Sequence, residues 1–187
     1  MPQYYEFEVS LQDIQPRIWR RFLIRTTATF WQLHQAIQHG FGWREHHLWE
    51  FRMPTPEGRP IAGLPDGEEY ERPVPHARTV KLDTYFTGRH AVEWCEYQYD
   101  FGDDWTHDVK LISVRADKES FKRRLLDGER NGPPEDCGGT TGYERMVHFV
   151  KTGEDLQDLD PEGLARWLGG WLPDAFVLEK ARAVFDR

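Results

Sequence analysis

From Tyr5 to Leu11 the chain alternates, with Tyr5, Phe7, Val9 and Leu11 on one side and Glu6, Glu8 and Ser10 on the other. A period of two is that of a strand with one buried face. After a break at Asp13–Pro16 the alternation resumes, Ile18, Arg20, Phe22 and Ile24 against Trp19, Arg21 and Leu23, which predicts an antiparallel hairpin. The period then changes. Thr29-Phe30-Trp31-Gln32 has the form of a capping box, Phe30, Leu33, Ile37 and Phe41 recur at helical spacing, and Gly40 and Gly42 supply a stop. His46 to Met53 reads as a further strand. Hairpin, helix and strand in that order predict a β-grasp-like opening, which concerns fold and not activity.

Residues 54–78 hold Pro54, Pro56, Pro60, Pro65, Pro73 and Pro75 with an acidic run at Asp66–Glu71, the composition of a long exposed loop. Ala91–Phe101 and Trp105–Val114 alternate and are joined by Gly102-Asp103-Asp104, predicting a second hairpin on the same sheet. The remainder reads as helical. Thr141-Gly142-Tyr143-Glu144 is a second capping-box pattern; Asp160-Pro161 precedes Leu164, Trp167, Leu168 and Trp171; a last helix is expected over Asp174–Phe185. The expectation is an α+β fold in one domain over residues 1–187, with a β-rich front at 4–115 and a helical C-terminal third at 140–187.

Aromatics make up 14% of the 187 residues, enough to fill a sizeable core although only 39% of the chain is hydrophobic. Against 24 Lys and Arg stand 32 Asp and Glu, a formal charge of −8, which disfavours a broad grip on nucleic acid. Two cysteines, Cys95 and Cys137, make no disulfide framework, and Met1–Ser10 has no apolar stretch of the signal-peptide kind. No apolar run approaches the roughly 20 residues that span a bilayer. A reduced, cytoplasmic protein away from membranes is expected.

Two segments concentrate chemistry. Around the second hairpin, Asp100, Asp103 and Asp104 lie near His107, which shares a strand face with Trp105, Val109 and Leu111. Such a set supports a carboxylate–imidazole site; it equally supports a turn in which the aspartates bond backbone amides and His107 is bonded in the core. Pro133–Gly139 packs Glu135, Asp136 and Cys137 between prolines and glycines. Cys137 is a candidate nucleophile, or else a small packed residue entering a helix. With neither C-x-x-C nor H-E-x-x-H spacing, no metal and no cofactor is assigned. His34 sits at the margin of the helical apolar stripe. His46 and His47, adjacent on a strand, would face opposite ways. Arg17, Arg20, Arg21 and Arg25 form a basic strip with Trp19 between, able to contact phosphates or an acidic partner.

Several of these segments together resemble one family. Ile18-Trp19-Arg20-Arg21, Leu33-His34, Gly42-Trp43, His47-Leu48-Trp49-Glu50-Phe51, Tyr97–Asp103 with Trp105 and His107, and Pro133–Gly139 with Gly142-Tyr143 are similar to the plasmid ORF-3-like family of bacterial and archaeal proteins. The chain departs from that pattern at Gly132, where many members carry Cys, and at Phe176-Val177, where Phe-Asp is common. The resemblance implies little about activity; some members carry a transposon-passenger, resolvase-like label. The reading preferred from the residues is a non-catalytic binding or interaction module, with Arg17, Arg20, Arg21, His34, His47, Trp105, Glu135 and Asp136 as candidate contacts. The alternatives are a hydrolase-like enzyme using Asp100, Asp103, His107 and Cys137, and a DNA-associated mobile-element accessory protein. A cleft where the two motif segments meet would separate them.

Overall fold

The computed structural model describes residues 1–64, 74–89, 91–157 and 160–186. Strands β1 (Gln3–Leu11) and β2 (Trp19–Arg25) form the expected hairpin, with Phe7 opposite Phe22. Helix α1 (Phe30–Phe41) follows, and its capping box is made: Gln32 N–H donates to the Thr29 hydroxyl, and Thr29 N–H donates to Gln32 Oε1. Two residues fix each other's orphan donors, so the helix starts where the sequence says. Gly42, at φ 84°, closes it.

The β-grasp expectation is overturned by what comes next. Strand β3 (Trp49–Arg52) does not join the first hairpin; it pairs with β4 (Pro60–Gly63) and with β5 (Trp94–Tyr99). A short helix α2 (Asp83–Phe86) precedes β5, and β6 (Trp105–Ala116) follows it. With β7 (Arg123–Glu129) the sheet has seven strands in the order β4-β3-β5-β6-β1-β2-β7. All six pairings are antiparallel. The second hairpin, β5–β6, does lie on the same sheet, beside β1.

The helical C-terminal third is likewise corrected: β7 adds a sheet strand after residue 115. It escapes a periodicity test because it is an edge strand on which only Leu125 is buried. Helices α3 (Gly139–Thr152), α4 (Pro161–Leu168) and α5 (Leu178–Phe185) follow, short and joined by irregular chain. Helix α3 begins before the Thr141 capping pattern, at a Gly138 cap of φ 88° with no side-chain bond. Helix α4 starts as expected, Gly163 N–H donating to Asp160 Oδ1 at 2.8 Å, but Trp167 stays 49% exposed. Helix α5 starts four residues later than expected, since Asp174 is drawn into an ion pair with Arg130.

Residues 54–78 are not one exposed loop. They supply β4, with Ile61 and Ala62 fully buried, and Gly63 exchanges hydrogen bonds with Pro75 and Ala77. Pro65, Pro73 and the acidic run Asp66–Glu71 lie outside the described residues.

The core lies between the sheet and α1. Phe30, Leu33 and Ile37 meet Phe7, Phe22 and Val109, all without exposure. Leu111 is only half-buried, because the β1–β6 register shifts between Glu6 and Phe7 and turns the strand there. Truncating a fully buried Leu such as Leu33 to Ala removes about 2–5 kcal/mol. Among the described residues, no helix is long and apolar enough to cross a membrane.

Candidate functional site

The basic strip is dismantled by the fold. Arg20, on the same side of β2 as Ile18 and Phe22, is 2% exposed. Its guanidinium donates to four carbonyls: Gly40 at 2.6 Å, Trp19 at 2.7 Å, Glu129 at 2.9 Å and Arg130 at 2.7 Å. It lies 4.0 Å from the Phe176 ring centroid and 5.1 Å from that of Phe41. Burial lowers its pKa to about 9, so it stays charged at neutral pH. Arg17 and Arg21 point the other way, each bonded to one oxygen of Glu8. Arg25 bonds the Phe121 carbonyl and the Ser120 hydroxyl. These four cations do not present a common face.

The histidines separate too. His107 Nδ1 lies 3.1 Å from both the Tyr97 and Trp105 carbonyls, so that nitrogen carries the proton. Its ring stands edge-on to Phe41 and Trp43, and burial pushes its pKa down to about 4. His34 stacks on Trp49 at 3.7 Å. Gln38 Nε2 donates to the Tyr97 hydroxyl, which therefore donates onward to His34 Nδ1 at 2.8 Å. That leaves the proton on His34 Nε2, facing Glu45 at 3.9 Å. Trp105 is buried beside Trp43. His34, Trp105 and His107 all serve the aromatic interior.

His47 does something different. The strand containing it was expected to begin at His46; it begins at Trp49, so both histidines lie in the loop leaving α1. Pairing of Trp49 with Tyr99 carries that loop to the β5–β6 turn, where Asp100 N–H donates to the Leu48 carbonyl at 2.9 Å. In the turn, Asp100 Oδ1 accepts from the Gly102 and Asp103 amides, and Asp100 and Asp104 both hold φ 55°. Aspartate is among the few non-glycine residues that tolerate this left-handed region.

The loop 133–139 closes on the same place. Trp43 Nε1 donates to the Pro133 carbonyl at 2.8 Å, and Arg44 N–H donates to Glu135 Oε1 at 2.7 Å. The Tyr99 hydroxyl accepts from His46 N–H and donates to Glu135. Burial, reinforced by the Glu135 carboxylate, raises the Tyr99 pKa and keeps that donor protonated. Gly138 N–H donates to Asp103 Oδ2 at 3.0 Å. At Gly139, φ 65°, a Cβ would lie 2.6 Å from the Asp103 carbonyl oxygen, so glycine is what lets the two segments touch.

The two motif segments thus converge, but on His47. Its Nε2 lies 3.1 Å from Asp136 Oδ1, 3.5 Å from Asp100 Oδ2 and 3.8 Å from Glu135 Oε2. That nitrogen is buried and makes no hydrogen bond of acceptable geometry to any of them. One ligand atom each from His47, Asp100 and Asp136 lies within 4.8 Å of the others. Cys137 is adjacent in sequence, yet burial, then Asp103, pushes its thiol up to about 12, and its sulfur rests 3.9 Å from the Gly139 carbonyl. It is a neutral thiol at physiological pH, not a thiolate. Sequence patterns had named His47, Asp100, Glu135 and Asp136 one by one. Tyr99 was missed, because on its strand it reads as a core aromatic.

The comparisons agree on kinship and say nothing of chemistry. An uncharacterised protein, y4hQ of Sinorhizobium fredii (strain NBRC 101917 / NGR234), is 35% identical over 144 residues, covering 76% of this chain and 71% of that one. A crystal structure of a protein of unknown function, MM3350 from Methanosarcina mazei Go1, superposes with a TM-score of 0.79 at 32% identity, covering 96% of both chains. The sequence profile described as plasmid pRiA4b ORF-3-like protein matches residues 3–180, and the chain belongs to that family.

Proposed function

We propose that the chain is a binding module whose ligand site is the His47–Asp100–Glu135–Asp136 cluster, and that the site takes a first-row divalent cation such as Zn²⁺. The supporting observation is the buried, unbonded His47 Nε2 facing carboxylate oxygens at 3.1–3.8 Å. Two ligands held tetrahedrally at about 2.05 Å from one metal are about 3.3 Å apart. A hydrogen-bonded partner would be aligned with the ring N–H, and none of these is; the spacing suits groups sharing an ion. Two of the three carboxylates are prepared by their other bonds: Asp100 spends Oδ1 on the turn, and Glu135 is held by Tyr99 and Arg44. Such outer bonds orient ligands before the metal arrives. An imidazole with several carboxylates suits zinc or manganese better than a soft-metal site would.

The hydrolase reading through Asp100, Asp103, His107 and Cys137 has less to rest on, because the thiol is protonated and His107 is turned into the core. Nucleic-acid binding by the arginine strip has less still, with Arg20 buried and Arg17 and Arg21 engaged by Glu8.

Calorimetric titration of chelator-treated protein with Zn²⁺ should give one site per chain, and Co²⁺ at that site should show visible d–d absorption. His47→Ala or Asp100→Asn should weaken binding at least about tenfold, a loss of about 1.4 kcal/mol. Zinc bound equally well by His47→Ala would sink the proposal.

A further inference from the structure

A second site lies elsewhere, where the C-terminal end of β2, the start of β7, helix α1 and helix α5 enclose a cavity of about 470 Å³. It shares no lining residue with the His47 cluster. Its cations are Arg25, Lys122 and Arg123, with His39 beside them, and among the described residues no acid lines it. Arg123 donates Nε to the Phe185 carbonyl at 2.6 Å and Nη2 to His39 Nδ1 at 2.7 Å. Among the described residues, Arg25 bonds a carbonyl and a hydroxyl and lies 5.9 Å from the Tyr4 ring centroid. Among the described residues, neither guanidinium nor the Lys122 ammonium has a carboxylate within ion-pairing distance; Asp186 and Glu45 act on Arg123 only from further off. In a chain with 32 acids and 24 bases, three cations around one cavity, with only Asp186 and Glu45 acting on Arg123 from a distance, call for an anion from outside.

His39 adds a donor. Its Nδ1 accepts from Arg123, so in the neutral ring the proton is on Nε2. Burial and Arg123 both favour that neutral form. Ile24, Ala28 and Val184 give the cavity an apolar side. We infer that this cavity binds a small phosphate monoester with an apolar body, its phosphate held by Arg123, Lys122 and Arg25. Three cations exceed what a carboxylate monoanion engages but match a dianion with three acceptor oxygens. The volume is that of an ordinary small-ligand pocket.

Phenyl phosphate is the probe, titrated calorimetrically at low salt, with an expected Kd on the order of 0.1 mM. Lys122→Gln, at a side chain that makes no hydrogen bond or ion pair among the described residues, should weaken binding about tenfold, and Arg123→Gln more. Inorganic phosphate and benzoate should each bind more weakly, the first lacking the apolar body and the second the dianion. No heat up to about 5 mM phenyl phosphate, or unchanged affinity in Lys122→Gln, overturns the site. Benzoate binding as tightly as phenyl phosphate overturns the assignment to phosphate, and inorganic phosphate doing so overturns the apolar body.

Discussion

Replacing Arg20 by Met isolates the contribution of a buried cation that has no acid partner among the described residues. The side chains are similar in length, so packing against Phe41 and Phe176 is largely kept while the charge and its donors go. Four carbonyls then lose this donor, the bonds to Gly40 and Arg130 buried and those to Trp19 and Glu129 part-buried. Each buried acceptor left unpaired costs about 1–3 kcal/mol, while relief of the guanidinium's own desolvation, several kcal/mol, works in the opposite direction. A net loss of about 2–4 kcal/mol is expected, the unpaired acceptors outweighing that relief. Domains of this size have about 5–15 kcal/mol in total, so the variant should sit near the edge of folding at 37 °C. Arg17→Met is the control: its ion pair with Glu8 is 47% exposed on the Arg side, and such pairs contribute about 0–1 kcal/mol. Urea unfolding of both variants, with slopes compared to confirm a common denatured state, reads the difference. An Arg20→Met loss below about 1 kcal/mol, or one equal to the Arg17 control, would refute the clamp.

Two further outcomes are open to measurement. His107 has a folded pKa of about 4 against an ordinary 6.5, so between those values the unfolded chain binds more protons and stability falls as pH falls. The full effect, about 3 kcal/mol, is present above pH ~6.5 and gone by pH ~4; His107→Gln should flatten that part of the stability–pH curve, and an unchanged curve would place the titration elsewhere. Gly139→Ala puts a methyl group against the Asp103 carbonyl at positive φ; it should destabilise by about 1–3 kcal/mol and also weaken zinc binding, whereas loss of stability alone would mean the loop contact does not shape the cluster.

Arg20 also shows where local patterns reveal more than they first suggest. It falls in register with Ile18, Phe22 and Ile24, so alternation alone pointed it inward; the charge argued otherwise, and three of the four carbonyls that satisfy it come from α1 and the end of β7, which no local pattern links to β2. The β1–β2 hairpin, α1 and the β5–β6 hairpin were legible because each carries its own period or cap. Strand β4 is four residues opening on a proline, and β7 buries only Leu125, so neither has a period to detect. The candidate site was legible as ingredients and not as an assembly. His47, Asp100 and Asp136 come together through the Trp49–Tyr99 pairing and the Gly139–Asp103 contact, which are properties of the sheet and not of any segment. Gly132 carries a similar constraint: a Cβ there would fall 2.2 Å from the Phe41 carbonyl oxygen, so a cysteine at that position requires the backbone to shift.

The sheet order has a consequence for synthesis. Strand β1 lies between β2, which emerges almost at once, and β6, whose Val109 pairs with Val9 across 100 positions of chain. At translation rates of about 5–20 residues per second, one edge of β1 waits about 5–20 s for its partner. Throughout that interval a strand carrying Tyr5, Phe7 and Val9 offers unpaired backbone to any other nascent chain. Glu6 and Glu8, on its opposite side, put negative charge beside that open edge. A ribosome pause before residue 105 would lengthen the exposure, and slow translation should therefore raise the aggregated fraction of this protein even where its final stability is unchanged.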